Sequence, residues 1–123
     1  MPILIIDDEA EIRSLISQLL IEEGYTVAQA ADGREALLYL QRANPLPCVI
    51  LLDLMMPTMN GWDFLQVRQQ DPVLAPIPIV AISAAPRHTT AAALGIQETL
   101  AKPIDLDRLV ALVMQYCRRA PPP

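Results

Sequence analysis

The chain has 123 residues, of which 53% are hydrophobic and 4% aromatic. This is enough for one domain with a core of aliphatic side chains. Its formal net charge of −5 argues against direct binding of nucleic acid, because that requires a basic surface. We therefore expect partners that are other proteins.

The features that report on the cellular compartment indicate the cytoplasm. The N-terminus lacks the basic and apolar segments of a secretion signal, and no stretch has the apolar length of a membrane span. The two cysteines, Cys48 and Cys117, form neither a disulfide framework nor a metal-binding spacing. We interpret them as buried free thiols in a reducing compartment.

Five short apolar runs predict the strands of a sheet. Most are continuously apolar rather than alternating, which is typical of parallel strands covered on both faces. The runs are Pro2–Ile6, Tyr25–Ala30, Cys48–Leu52, Ile77–Ile82 and Glu98–Ala101. Segments of helical period lie between them. The apolar stripe of the first segment is Ile12, Leu15, Ile16, Leu19 and Leu20, and that of the last is Leu106, Leu109, Val110, Val113 and Cys117.

Residues that begin and end helices support this alternation. Gly24 is suited to closing the first helix, and Asp32 and Asp105 to capping the starts of the second and the last. The prolines of segment 44–47 end the second helix, and Asp71-Pro72 ends the third. The pattern predicts five βα units with right-handed crossovers and helices on both faces of the sheet.

Charged and hydroxyl residues follow four of the predicted strands. Asp7 and Asp8 follow the first run, Asp53 the third, Ser83 the fourth and Lys102 the fifth. Each has a structural explanation when taken alone, such as a helix start or a turn. In a parallel α/β sheet, however, ligands bind outside the carboxyl ends of the strands. The sequence therefore predicts that these side chains meet in one site.

Three carboxylates at one place need a cation. At an effective dielectric constant of about 20, two like charges about 4 Å apart repel each other by about 4 kcal/mol. Ligation by carboxylates alone selects a hard ion such as Mg²⁺. With this ion, Lys102 and Ser83 would stabilise the oxygens of a phosphoryl group during transfer. Asp53 is then a candidate acceptor that becomes an acyl phosphate.

The chain resembles the response-regulator receiver domains of bacterial two-component signalling. The most specific segment is Asp53-Leu54-Met55-Met56-Pro57-Thr58-Met59-Asn60-Gly61, supported by Asp7-Asp8 and Lys102-Pro103. The resemblance implies a flavodoxin-like fold, a doubly wound α/β sheet of five parallel strands in the order 2-1-3-4-5. It also implies a receiver domain over residues 1–119, followed by a Pro-rich tail at 120–123.

The resemblance also implies a metal site. Asp8, Asp53 and the main-chain carbonyl of Met55 would bind Mg²⁺ directly, and Asp7 would bind it through water. The donor of the phosphoryl group would be a histidine kinase or a histidine phosphotransfer protein. The output would be altered protein contacts, and the chain would not be an enzyme.

Two further residues receive a role from the resemblance. Lys102 would pair with the phosphoryl group, and a cis peptide bond to Pro103 would aim it inward. Ser83 would shift to hydrogen-bond the group once it is attached.

The chain departs from the family pattern in two places. Thr99 stands where the family usually carries a Tyr or Phe that couples the site to the outer surface. The segment between Ser83 and Lys102 is short, so that the helix predicted at 86–94 has room for only about two turns. We expect phosphorylation, with the signal carried by this segment rather than by an aromatic side chain.

Three other kinds of protein share part of this pattern. A haloacid-dehalogenase-type phosphatase would carry Asp-x-Asp after its first strand, where this chain has Asp7-Asp8-Glu9. A flavodoxin would need a Ser/Thr- and Gly-rich phosphate loop where this chain is acidic. A degenerate receiver, acting only as a docking module, stays open because of Thr99.

Overall fold

The computed structural model describes residues 1–54, 61–83 and 95–117, with only the backbone at 61 and 62. The predicted carbonyl ligand at Met55, the predicted helix at 86–94 and the predicted tail at 120–123 lie outside these residues. Within the described ranges, no helix has the length and apolar character needed to span a bilayer.

The described residues form five strands and four helices. In chain order these are β1 (Ile3–Ile6), α1 (Ala10–Glu22), β2 (Val27–Ala30), α2 (Gly33–Arg42), β3 (Val49–Asp53), α3 (Gly61–Gln69), β4 (Ile79–Ser83), β5 (Glu98–Ala101) and α4 (Leu106–Tyr116). All strand pairs are parallel, and the strand order is β2-β1-β3-β4-β5. The flavodoxin-like sheet predicted from the sequence is therefore confirmed.

The sheet separates two apolar cores, which explains why its central strands are apolar throughout. Side chains alternate between the faces of a strand. Leu4 and Ile6 of β1 thus join the core under α2 and α3, while Ile3 and Ile5 join the core under α1 and α4. All residues of β1, β3 and β4 are buried. The sheet is consequently held from both sides, and only its ends are open to ligands.

The helix boundaries follow the predicted signals. Gly24 has a φ of 95° after α1, a conformation that glycine adopts without a steric penalty. Asp32 accepts a hydrogen bond from the Glu35 N–H at 2.8 Å at the start of α2. Asp105 accepts hydrogen bonds from the first turn of α4. These caps satisfy backbone N–H groups that have no partner within their helices.

A buried arginine, which the sequence did not indicate, fixes the chain between α3 and β4. The side chain of Arg68 is 1% exposed and donates to the carbonyls of Ala75 and Ile77, both at 2.6 Å. Burial lowers its pKa. A Cβ atom at Gly95, where φ is +80°, would lie 3.1 Å from Arg68 Nη1. Arg68 therefore ties α3 to the segment that enters β4.

The expectation of two free thiols is wrong, because Cys48 and Cys117 form a disulfide. Their Cα atoms are 5.5 Å apart although 69 positions separate them in the sequence. Cys48 precedes β3, and Cys117 follows α4, which runs antiparallel to the strands in a βα unit. Both residues therefore reach the same end of the sheet. This proximity arises from the tertiary topology, and no local sequence spacing reveals it.

Candidate functional site

The acidic residues predicted to meet lie together at the carboxyl end of the sheet. β1 and β3 are neighbours with Ile6 opposite Leu52, so that Asp7 and Asp53 follow at the same level. Carboxylate oxygens of Asp7, Asp8 and Asp53 lie within 4.8 Å of one another. Asp7 and Asp53 are each 2% exposed, and Asp8 is exposed. The cluster is thus reached from solvent over Asp8.

Asp7 is fixed in place by hydrogen bonds, and the ionised form of its carboxyl group is electrostatically unfavourable. Its Oδ1 accepts a hydrogen bond from the Glu9 N–H at 2.8 Å, and Arg13 Nη1 donates to its main-chain carbonyl at 2.6 Å. Burial raises the pKa of Asp7 to about 6, although the hydrogen bond from Glu9 lowers it. The charges of Asp53 and Asp8 raise the pKa by smaller amounts, and the charge of Lys102 lowers it. Its Oδ2 is buried and has no hydrogen-bond partner among the described residues.

These features fit a divalent cation. A buried carboxylate oxygen without a partner has lost its hydration, and a cation would replace it. The donors are all oxygens, and one of the three carboxylates is open to water, as suits an ion that retains part of its hydration shell. The part of the chain that the structure describes therefore contains an acidic cluster suitable for Mg²⁺.

Lys102 provides the positive charge of the site. It follows β5, and its Nζ lies 3.2 Å from Asp53 Oδ2 with the side chain 25% exposed. Burial alone would lower the pKa of Lys102, but the charges of Asp53, Asp7 and Glu9 and the hydrogen bond to Asp53 together raise it. The ammonium group therefore stays protonated at neutral pH. The peptide bond to Pro103 is cis, as the resemblance implied.

Ser83 lies on β4, between β3, which ends at Asp53, and β5, which precedes Lys102, and Thr99 lies on β5. Ser83 ends β4 opposite Ala101, one residue beyond the pair of Asp53 with Ile82, and is 4% exposed. Thr99 lies on β5 opposite Ala81, is half-buried, and shares a sheet face with Ala101. Thr99 therefore lies on β5 two residues before Ala101, which is the residue opposite Ser83.

Two contacts of the site were not foreseen. The Glu9 N–H and the Arg13 guanidinium both bind Asp7. The first could have been inferred, because an aspartate commonly accepts a hydrogen bond from the backbone N–H two residues further on. The second is a contact across six positions that has no sequence signature.

An apolar groove of about 260 Å³ adjoins Lys102, and we call it the α1 groove. It lies between α1 and the segment that joins β5 to α4, and is lined by Ile12, Leu15, Ile16, Lys102, Pro103, Ile104 and Leu106. Leu15, predicted to belong to the buried stripe of the first helix, is 56% exposed on its rim. The predicted stripe is too wide, because only Ile16 and Leu20 of its five residues are fully buried.

Comparison with known proteins identifies the family. The family of response regulator receiver domains matches residues 3–114, and the chain belongs to this family. The match covers every described strand and the acidic cluster at the carboxyl ends of β1 and β3.

Individual relatives support this assignment. The chain is 36% identical over 128 residues to the alkaline phosphatase synthesis transcriptional regulatory protein SphR of Synechococcus elongatus, covering 96% of this chain and 49% of that protein. It thus spans about half the length of this relative. It is 34% identical to the 14.6 kDa protein of the sodA1 3′ region of Leptolyngbya boryana, covering 99% of this chain and 94% of that one.

A solved structure shows the same fold. The chemotaxis protein CheY4 of Vibrio cholerae superposes with a TM-score of 0.85 at 30% identity, covering 94% of this chain and 98% of that one. The chain is therefore a receiver domain of two-component signalling in both sequence and fold.

Proposed function

We propose that Asp53 accepts a phosphoryl group, in the presence of Mg²⁺, from a histidine kinase or a histidine phosphotransfer protein in the cytoplasm. The output is a change in protein contacts, and the chain has no substrate of its own to turn over. The observation that carries the proposal is the setting of Asp53. It is a buried carboxylate with Lys102 Nζ 3.2 Å away and with carboxylate oxygens of Asp7 and Asp8 within 4.8 Å.

The side chains of the site have separate tasks in the transfer. An Asp53 oxygen forms a P–O bond while the P–N bond to the donor imidazole breaks, and the imidazole nitrogen keeps the electron pair and takes up a proton. The Lys102 ammonium moves from the carboxylate to a phosphoryl oxygen, and the Ser83 hydroxyl donates to another. Mg²⁺, held by Asp7, Asp8 and Asp53, would offset the negative charge of the transferring group.

The donor protein docks on the α1 groove. A phosphohistidine must approach Asp53 within bonding distance, so the donor has to cover the surface around Lys102. Lys102 itself lines the groove, which makes the groove continuous with the acceptor site. The exposed Leu15 side chain on its rim gives a partner apolar area to bury.

Incubation with acetyl phosphate and Mg²⁺, followed by intact-mass measurement, tests the acceptor role. We expect one phosphoryl adduct on the native chain and none on Asp53→Asn. Asp107→Asn, which removes the same charge at an exposed position of α4, should form the adduct normally. The adduct should also disappear when the metal is removed with EDTA.

Other outcomes would favour the alternatives. A folded native chain that forms no adduct would contradict the proposal and favour a docking module. Continuous hydrolysis of phosphoesters, lost in Asp53→Asn, would instead indicate an enzyme.

A further inference from the structure

A second chemically competent group lies at the end of the sheet opposite the acidic cluster. The disulfide joins Cys48, directly before β3, to Cys117, directly after α4. Asp53 ends the same strand β3, and Lys102 lies before the start of α4. The bond therefore closes a ring through the elements that carry the two opposite charges of the site.

The two sulfurs differ in their access to a reagent. Cys117 is 2% exposed and belongs to the core under α1 and α4, whereas Cys48 is half-buried at the margin of that core. Thiol–disulfide exchange requires an attacking thiolate to reach a sulfur of the bond. An external thiol is therefore expected to approach the bond from its Cys48 side.

The surroundings accommodate the reduced form as well. Cys48 Sγ lies 3.5 Å from the Pro2 carbonyl oxygen and 3.7 Å from that of Met1. In the disulfide these are contacts only, because the sulfur carries no hydrogen. Once reduced, the Cys48 thiol can donate to either carbonyl.

We propose that Cys48–Cys117 is a redox-active disulfide that a protein dithiol reduces by attack on Cys48. A thiolate of the dithiol forms a bond to Cys48 Sγ, the bond between the cysteines breaks, and Cys117 leaves as a thiolate that takes up a proton. The second thiol then attacks the reductant's own sulfur in the mixed disulfide. This releases Cys48 as a thiol and leaves the reductant oxidised, and an oxidised dithiol reverses the sequence.

Reduction changes how the end of α4 is held. In the oxidised form this end is tied covalently to the start of β3. In the reduced form it keeps the hydrogen bond from Tyr25 Oη to the Cys117 carbonyl, at 3.1 Å, and the packing of Leu112 and Val113. The last turn of α4 opens more readily when it loses a covalent constraint. The redox state thus sets the local stability of this turn.

The site of attack is tested with the whole chain, purified without reductant, and a thioredoxin whose resolving cysteine is replaced by serine. We expect a trapped mixed disulfide whose peptide map places the thioredoxin on Cys48. Cys48→Ser, which keeps a similar shape, should trap none. Free thiols in the native chain after treatment with an oxidised dithiol, an adduct on Cys117, or trapping only after unfolding would each overturn the proposal.

Amide hydrogen exchange tests the consequence. Reduction of the native chain should accelerate exchange through local opening over residues 113–117 by roughly tenfold. In Cys48→Ser the exchange rates should not respond to the dithiol. Equal rates in oxidised and reduced native protein would overturn the conformational part, whether or not the serine variant folds well. Neither measurement involves phosphorylation, so the outcome is separate from that of the acceptor experiment.

Discussion

The carboxyl group of Asp7 is buried beside two other aspartates, and in the metal-free protein burial raises its pKa to about 6. The ordinary value is 3.8, so the folded state holds this proton more tightly than the unfolded state. The contribution of Asp7 to stability is therefore greatest below about pH 4 and is lost as the pH rises through about 6. At neutral pH the charged form of Asp7 costs up to about 3 kcal/mol.

Replacing Asp7 by Asn should separate stability from metal binding. Without metal at pH 7, Asp7→Asn should raise the free energy of unfolding by about 1–3 kcal/mol, because a buried charge is removed while Oδ1 can still accept from Glu9. With Mg²⁺, the native chain should gain stability by mass action and the variant much less. Urea unfolding in EDTA and in Mg²⁺ measures both effects.

The exposed neighbour Asp8 provides the control for this experiment. Asp8→Asn should leave stability in EDTA nearly unchanged while weakening the response to Mg²⁺. If the native chain were more stable than Asp7→Asn in EDTA at pH 7, the charge of Asp7 would not destabilise the metal-free protein, contrary to the prediction.

At the same scale, the sequence located the site because the chemistry of α/β sheets is confined to strand ends. Asp7, Asp8, Asp53, Ser83 and Lys102 could be selected for that reason alone, and the structure places the five at the carboxyl ends of neighbouring strands. The hydrogen bond of Arg13 to Asp7 and the burial of Arg68 could not be predicted. Both depend on distances set by how helices lie on the sheet.

Among the described elements, α4 is constrained at both of its ends. Asp105 caps its start, and the disulfide at Cys117 ties its end to β3. The positions of β1, β3 and β4 were predictable because a nearly uninterrupted apolar run of about five residues is typical of a buried parallel strand. The pairing of the cysteines was not, because it depends on α4 returning to the end of the sheet where β3 begins.

Reduction of the disulfide should lower the free energy of unfolding by about 4 kcal/mol, because the bond closes a loop of 69 residues in the unfolded chain. Urea unfolding with and without a dithiol measures this difference. Asp105→Ala should cost about 1 kcal/mol in both redox states, which distinguishes loss of a cap from loss of the cross-link. An unfolding midpoint of the native chain that does not respond to the dithiol would contradict the prediction.

For the whole molecule, the sheet order determines which surfaces a partner meets. The carboxyl ends of β1, β3, β4 and β5 form one pole, with the α1 groove beside it. A donor that reaches Asp53 has to contact this pole, whereas the far end of α1 lies outside such a contact.

Two residues of α1 with equal exposure test this docking surface. Leu15 and Ile21 are both 56% exposed, but only Leu15 lines the groove. Leu15→Glu should slow transfer from a phosphorylated histidine phosphotransfer protein by about tenfold or more, because a charge replaces the apolar contact. Ile21→Glu should leave transfer unchanged, and both variants should react normally with acetyl phosphate. Equal slowing by the two substitutions would place the donor elsewhere.

The strand β3 has a consequence for signal integration. It has five residues, so that about 16 Å of extended chain separates the acceptor at one end from the cross-link at the other. A phosphoryl donor and a dithiol therefore approach the chain at opposite ends of the sheet. Every combination of phosphorylated or unphosphorylated with oxidised or reduced would be accessible to a single molecule. The chain would then respond to two signals independently, to phosphorylation at one end of β3 and to the redox state of the disulfide at the other.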